Sequence, residues 1–80
     1  MDETQIYTRL TGIFHDVFDD ESITATPELT AKDVEEWDSL AHIRLMLTIE
    51  QAFKVKFSTS ELGRVQNVGD LAKLIGKRAP

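Results

Sequence analysis

The apolar residues of the chain fall into three helical stretches separated by one long break and one short one. Over 4–18, Ile6, Leu10, Ile13, Phe14, Val17 and Phe18 recur at spacings of three and four, which predicts an amphipathic helix. Gly12 is a weak helix former inside it. Residues 19–38 hold Pro27, several Thr and acids, and no clean period. They read as a loop, and a loop of that length in a small domain tends to be functional. Ile23, Leu29, Val34 and Trp37 are the side chains expected to pin it to the core. A second helix is predicted over 39–54, with Ser39 as N-cap and Asp38, Glu36 and Glu35 at the positive end of its dipole. Val55-Lys56-Phe57 reads as a short extended exit. Ser58 and Glu61 have capping-box spacing, which gives a short helix over about 59–65. Asn67 caps a last helix through Val68, Leu71, Ala72, Leu74 and Ile75, which Gly76 is expected to stop. The expected fold is all-α. It is a four-helix bundle with three major helices and one short helix, a long loop between helices 1 and 2, and a single domain over 1–80.

Helix 2 carries more apolar surface than one core needs. On a wheel of ~100° per residue, Leu45, Met46, Ile49, Ala52 and Phe53 span one arc, roughly 120° to 240° from Leu40. Leu40, Ile43 and Leu47 cluster on the other side, within about 60° of one another. Arg44, Thr48 and Gln51 lie on one flank, Glu50 and Lys54 near the other. The first arc is expected to face the core. The second either lies under the long loop or forms a shallow patch open to a partner protein or an apolar group.

Composition narrows the function. Eighty residues make one small domain. The net charge is −5 at pH 7, which argues against a nucleic-acid partner, since duplex binding needs a basic face. The acids are concentrated early: residues 1–38 hold 11 acids and two bases, residues 39–80 three acids and seven bases. There is no cysteine, so disulfides, thiolate metal sites and an encoded nucleophilic thiol are excluded. No apolar run approaches the ~20 residues that span a bilayer, and no basic-then-apolar leader opens the chain. A cytoplasmic, monomeric protein without membrane attachment is expected. The acids Asp16, Asp19, Asp20 and Glu21 lack the alternation and glycine of a calcium loop, so no metal site is expected.

Ser39 is the residue best placed to carry chemistry. It sits in Glu35-Glu36-Trp37-Asp38-Ser39-Leu40, at the junction of an acidic loop and a helix. A hydroxyl there can be a simple cap. As a nucleophile it would need a base and an orienting group. His42 and His15 are the available imidazoles, but no Gly-x-Ser-x-Gly elbow is present, so no catalytic residue is assigned. A third possibility is modification by another enzyme, since a helix start offers amides and positive potential to a phosphodiester.

The string Asp38-Ser39-Leu40-Ala41-His42-Ile43-Arg44-Leu45, followed by Ile49-Glu50-Gln51-Ala52-Phe53, resembles the acyl carrier proteins. The resemblance extends through the first helix, the acidic loop and Val65-Gln66-Asn67-Val68-Gly69-Asp70-Leu71-Ala72-Lys73-Leu74-Ile75, nearly the whole chain. It implies that Ser39 takes 4′-phosphopantetheine from coenzyme A, with Asp38 supporting the modification. It implies a thiol on the arm where the chain encodes none. The protein would be a carrier, not an enzyme. It would bear acyl, aminoacyl or peptidyl thioesters and present them to partners on a face made by Leu40, Ile43, Arg44, Leu47 and Glu50. Those partners would be a phosphopantetheinyl transferase (a holo-carrier synthase) and acyl-loading and acyl-processing enzymes such as ligases, ketosynthases and acyltransferases. Several features depart from many fatty-acid carriers, among them Trp37, where a small or aliphatic residue is common. Glu36 stands where glycine is common, and Arg44 places a cation on a helix that is strongly acidic in them. The expectation is therefore a dedicated lipid, polyketide or specialised pathway. The rival reading is a small acidic helical interaction adaptor without a prosthetic group.

Overall fold

The computed structural model describes residues 2–79. Its helices are α1 (Glu3–Phe18), α2 (Ser39–Phe53), α3 (Thr59–Gly63) and α4 (Val68–Arg78). One turn of 3-10 helix, Ala31–Asp33, lies in the loop between α1 and α2. It was not anticipated from the sequence, because a single turn leaves no period to detect. No strand occurs among the described residues, and no helix there is long and apolar enough to cross a membrane.

Capping decides where each helix begins. Asp2 opens α1, with its carboxylate accepting from the Gln5 amide at 2.8 Å and the Gln5 side chain reaching back. Ser58 and Glu61 form the expected capping box on α3. Asn67 caps α4 by accepting from the Asp70 amide at 2.8 Å. At α2 the expectation fails. The N-cap is Asp38, whose backbone is extended and whose carboxylate accepts from the Ala41 amide at 2.8 Å, while Ser39 is the first helical residue. Both residue types cap well; the loop here delivers Asp38 and not Ser39 to the orphan amides, where its charge suits the positive end of the dipole.

The ends also differ. α2 stops at Phe53 and α3 at Gly63, one and two residues short of expectation. Lys54 takes a left-handed conformation, φ 57°, which closes α2. α4 runs through Gly76 to Arg78 instead of stopping. A side chain at Gly76 would meet only Ile6, at ordinary contact distance, and Arg78 is anchored to the Glu61 carboxylate and the Lys56 carbonyl. Lys77 and Arg78 in the last turn also suit the negative end of the helix.

The core is a three-helix contact. α1 contributes Ile6, Leu10, Ile13, Phe14 and Phe18; α2 contributes Leu45, Met46, Ile49 and Phe53; α4 contributes Val68, Leu71, Ala72 and Ile75. Ala52 was expected inward but is exposed. It stands at the edge of its arc, on the rim of a surface groove shared with Arg9, Gly12 and Ile13. α3 buries no residue fully; Leu62 is half-buried against the core.

The long loop is held throughout its length. Ile23 and Val34 are buried, and Leu29 and Trp37 are half-buried against the core; Ala25 is a further buried pin that sequence reasoning missed. Its amide donates to Thr11 Oγ1 at 3.0 Å. Farther on, the Val68 and Gly69 amides donate to Leu29 and Pro27 carbonyls at 2.9 and 3.0 Å. Two of the loop's acids are local caps: Asp20 accepts from the Ser22 amide and hydroxyl, and Asp33 from the Thr30 amide and hydroxyl.

The Glu61 carboxyl is held below the usual carboxylate range, first by the Ser58 amide and further by Arg78. A group with a lowered folded pKa contributes stability that is present above its unfolded pKa and lost as pH falls through the folded value. Glu61→Gln keeps an acceptor for the cap and removes the charge. Its melting temperature is expected to lie below that of the parent at neutral pH. The gap should close on acidification through the carboxylate range, as read by circular dichroism melts at both pH values.

Candidate functional site

The start of α2 protrudes as a helix end fixed from behind. Trp37 packs on Phe14 and Phe18 with ring centroids 5.6 and 5.7 Å away, and those two rings meet edge to face at 5.8 Å. Asp38 then turns the chain into the helix and spends one carboxylate oxygen on the Ala41 amide. Ser39 follows in the first turn, exposed to solvent. Its hydroxyl makes no hydrogen bond among the described residues, and neither its amide nor that of Leu40 meets a protein acceptor there. The site thus offers a free hydroxyl beside unsatisfied donors at the positive end of a 15-residue helix. That is chemically suited to an ester-linked phosphate, whose charge the helix end favours.

It is not suited to hydrolysis. His42 Nδ1 accepts from Trp37 Nε1 at 3.1 Å. His15 Nε2 is paired with the Ile23 carbonyl at 2.7 Å. Neither imidazole is hydrogen-bonded to the serine. The Trp37–His42 pair escaped the sequence reading, although its signal was there: once Asp38 is the cap, the two occupy the positions of a hydrophobic staple.

Beside Ser39 lies an uncovered apolar patch. Leu40 is 75% exposed, Ile43 56% and Leu47 54%. The long loop does not fold over them. Arg44 is exposed on the same side of the helix. Glu50 is half-buried, and its Oε2 accepts from the Phe57 amide at 2.9 Å, so it ties α2 to the segment after it. A groove of about 530 Å³ lies elsewhere, between α1, α4 and Pro27-Glu28. There burial, together with Glu3 and Glu28, pushes the Tyr7 phenol up. That groove touches none of Ser39, Asp38 or the patch. The site belongs to the class of exposed helix ends suited to modification, and not to the class of clefts.

The comparisons agree with that class. Residues 9–75 match the family model described as "Phosphopantetheine attachment site". The fold is similar to the solution NMR structure of a holo acyl carrier protein from Geobacter metallireducens. The two are 46% identical, with a TM-score of 0.87, over 91% of this chain and 84% of that one. A search of curated proteins gives no match. The chain belongs to the phosphopantetheine-attachment family of acyl carrier proteins. It is accordingly a carrier and not a catalyst, and its cofactor is a covalent 4′-phosphopantetheine. That arm supplies the thiol that a chain with no cysteine does not encode. The family assignment also sets aside the adaptor without a prosthetic group.

Proposed function

We propose that Ser39 bears the 4′-phosphopantetheine arm, that Asp38 supports its installation, and that the chain acts as one cytoplasmic, monomeric domain over 1–80. The observation that carries this is the exposed, unbonded Ser39 hydroxyl at the start of α2. Leu40, Ile43, Arg44, Leu47 and Glu50 form the face that meets the phosphopantetheinyl transferase and then ligases, ketosynthases or acyltransferases. Incubation with coenzyme A and a broad-specificity transferase should add the mass of one phosphopantetheine group, and peptide mapping should place it on Ser39. A folded protein that gains no mass refutes the proposal.

The cargo route is a dedicated lipid, polyketide or specialised pathway. Support comes from the exposed Arg44 within the patch. A cation there opposes partners that approach with cations, lowering on-rate and affinity. Charged protein offered to a housekeeping fatty-acid ketosynthase should turn over about tenfold or more slowly than that enzyme's own carrier, a loss of ~1.4 kcal/mol or more. Equal turnover would refute this part alone.

A further inference from the structure

Trp37 and His42 stand where a helix start is usually clasped by two apolar side chains. Here the clasp is polar. The ring planes lie within 21° of each other with centroids 6.2 Å apart, and their edges are joined by the hydrogen bond from Trp37 Nε1 to His42 Nδ1. An indole N–H only donates, so His42 Nδ1 must be unprotonated. A neutral imidazole that accepts at Nδ1 carries its proton on Nε2. The indole cannot easily swing away, since Phe14 and Phe18 hold its other side. His42 Nε2 has no protein partner among the described residues, and no side-chain nitrogen or oxygen there is both buried and unpartnered. The Nε2–H therefore meets solvent.

Its position matters. Helical residues three apart have Cβ atoms about 5–6 Å apart, and helical side chains lean toward the N-terminus. His42 thus lies over the turn that begins at Ser39. Asp38, the nearest carboxylate in sequence, already accepts from Ala41 and makes no bond to the imidazole.

The geometry points to His42 Nε2–H as a hydrogen-bond donor to the phosphodiester on Ser39, with Trp37 the positioning residue that fixes the donating tautomer. This rests on Ser39 being the attachment site. The unsatisfied helix amides would hold one side of the phosphate and the imidazole another, so the root of the arm leaves the helix in a set direction.

The test uses the holo protein at one fixed neutral pH. Intact mass first establishes attachment. In ¹⁵N spectra of histidine-labelled protein, attachment is expected to shift His42 Nε2 and to leave Nδ1, bonded to Trp37, nearly unmoved. In ³¹P spectra, His42→Phe keeps an aromatic ring beside Trp37 and removes the donor, and should shift the phosphodiester resonance by more than its line width. Trp37→Phe keeps an aromatic ring against Phe14 and Phe18. It should give histidine shifts of mixed tautomers and a smaller ³¹P change. Holo protein whose His42 nitrogens and ³¹P resonance ignore attachment and substitution overturns the inference and leaves the Ser39 assignment standing. Protein that gains no mass overturns both.

Discussion

Ser39→Ala is expected to abolish phosphopantetheinylation completely while leaving the fold intact. The two halves of that expectation have separate causes. Loss of modification follows because the substitution removes the oxygen that would form the phosphoester, and the alanine offers no substitute. Retention of the fold follows from Asp38. Had Ser39 been the cap, its replacement would cost about 0.5–2 kcal/mol. With the Asp38 carboxylate capping α2 at the Ala41 amide, Ser39 is an exposed first-turn residue whose side chain makes no hydrogen bond among the described residues. Such surface substitutions usually stay within about 0.5 kcal/mol. Intact mass after incubation with coenzyme A and transferase reads the first half, and urea unfolding reads the second. Residual mass gain would move the attachment elsewhere. A large loss of stability would mean that the serine, not the aspartate, starts the helix.

Phe14→Ala should destabilise the fold far more than Ser39→Ala or Glu61→Gln. Phe14 is fully buried and touches both Phe18 and Trp37. Removing a buried Phe side chain costs about 3–5 kcal/mol, against a total of about 5–15 kcal/mol for ordinary domains. In a chain of 80 residues that leaves little margin. The effect should also reach the site, because Trp37 loses one of the two rings that support it just ahead of Asp38 and Ser39. Trp37 is the chain's single tryptophan, so its fluorescence reports this end of the loop directly. The expected result is a urea midpoint shifted sharply down and a red-shifted native emission. An unchanged midpoint would contradict the packing. A lowered midpoint with unchanged native emission would show that Phe18 alone suffices to hold the tryptophan.

The Asp38 carboxylate explains both what was legible at the site and what was not. Period and cap chemistry are local, so the helices and the Asn67 and Ser58 caps could be placed from residues alone. The segment Asp38-Ser39 holds two adjacent capping residues, and propensity favours them almost equally. Which one caps depends on the angle at which the loop arrives, and that angle is fixed by Trp37 packing against α1. Gly76 is a similar case. Its type signals a stop, but the anchoring of Arg78 by Glu61 and the Lys56 carbonyl carries α4 two residues further.

The sequence by itself determined the all-helical character, the inward arc of α2 apart from Ala52, the surplus arc of Leu40, Ile43 and Leu47, and the serine beside it, because each is a matter of residue type repeated at a helical spacing. Tertiary structure alone decided that the loop leaves the surplus arc uncovered, that Asp38 rather than Ser39 closes the helix, and that Trp37 selects the tautomer of His42. Those outcomes depend on where α1 places Phe14 and Phe18 relative to the end of the loop, a long-range geometry that no short window of residues encodes.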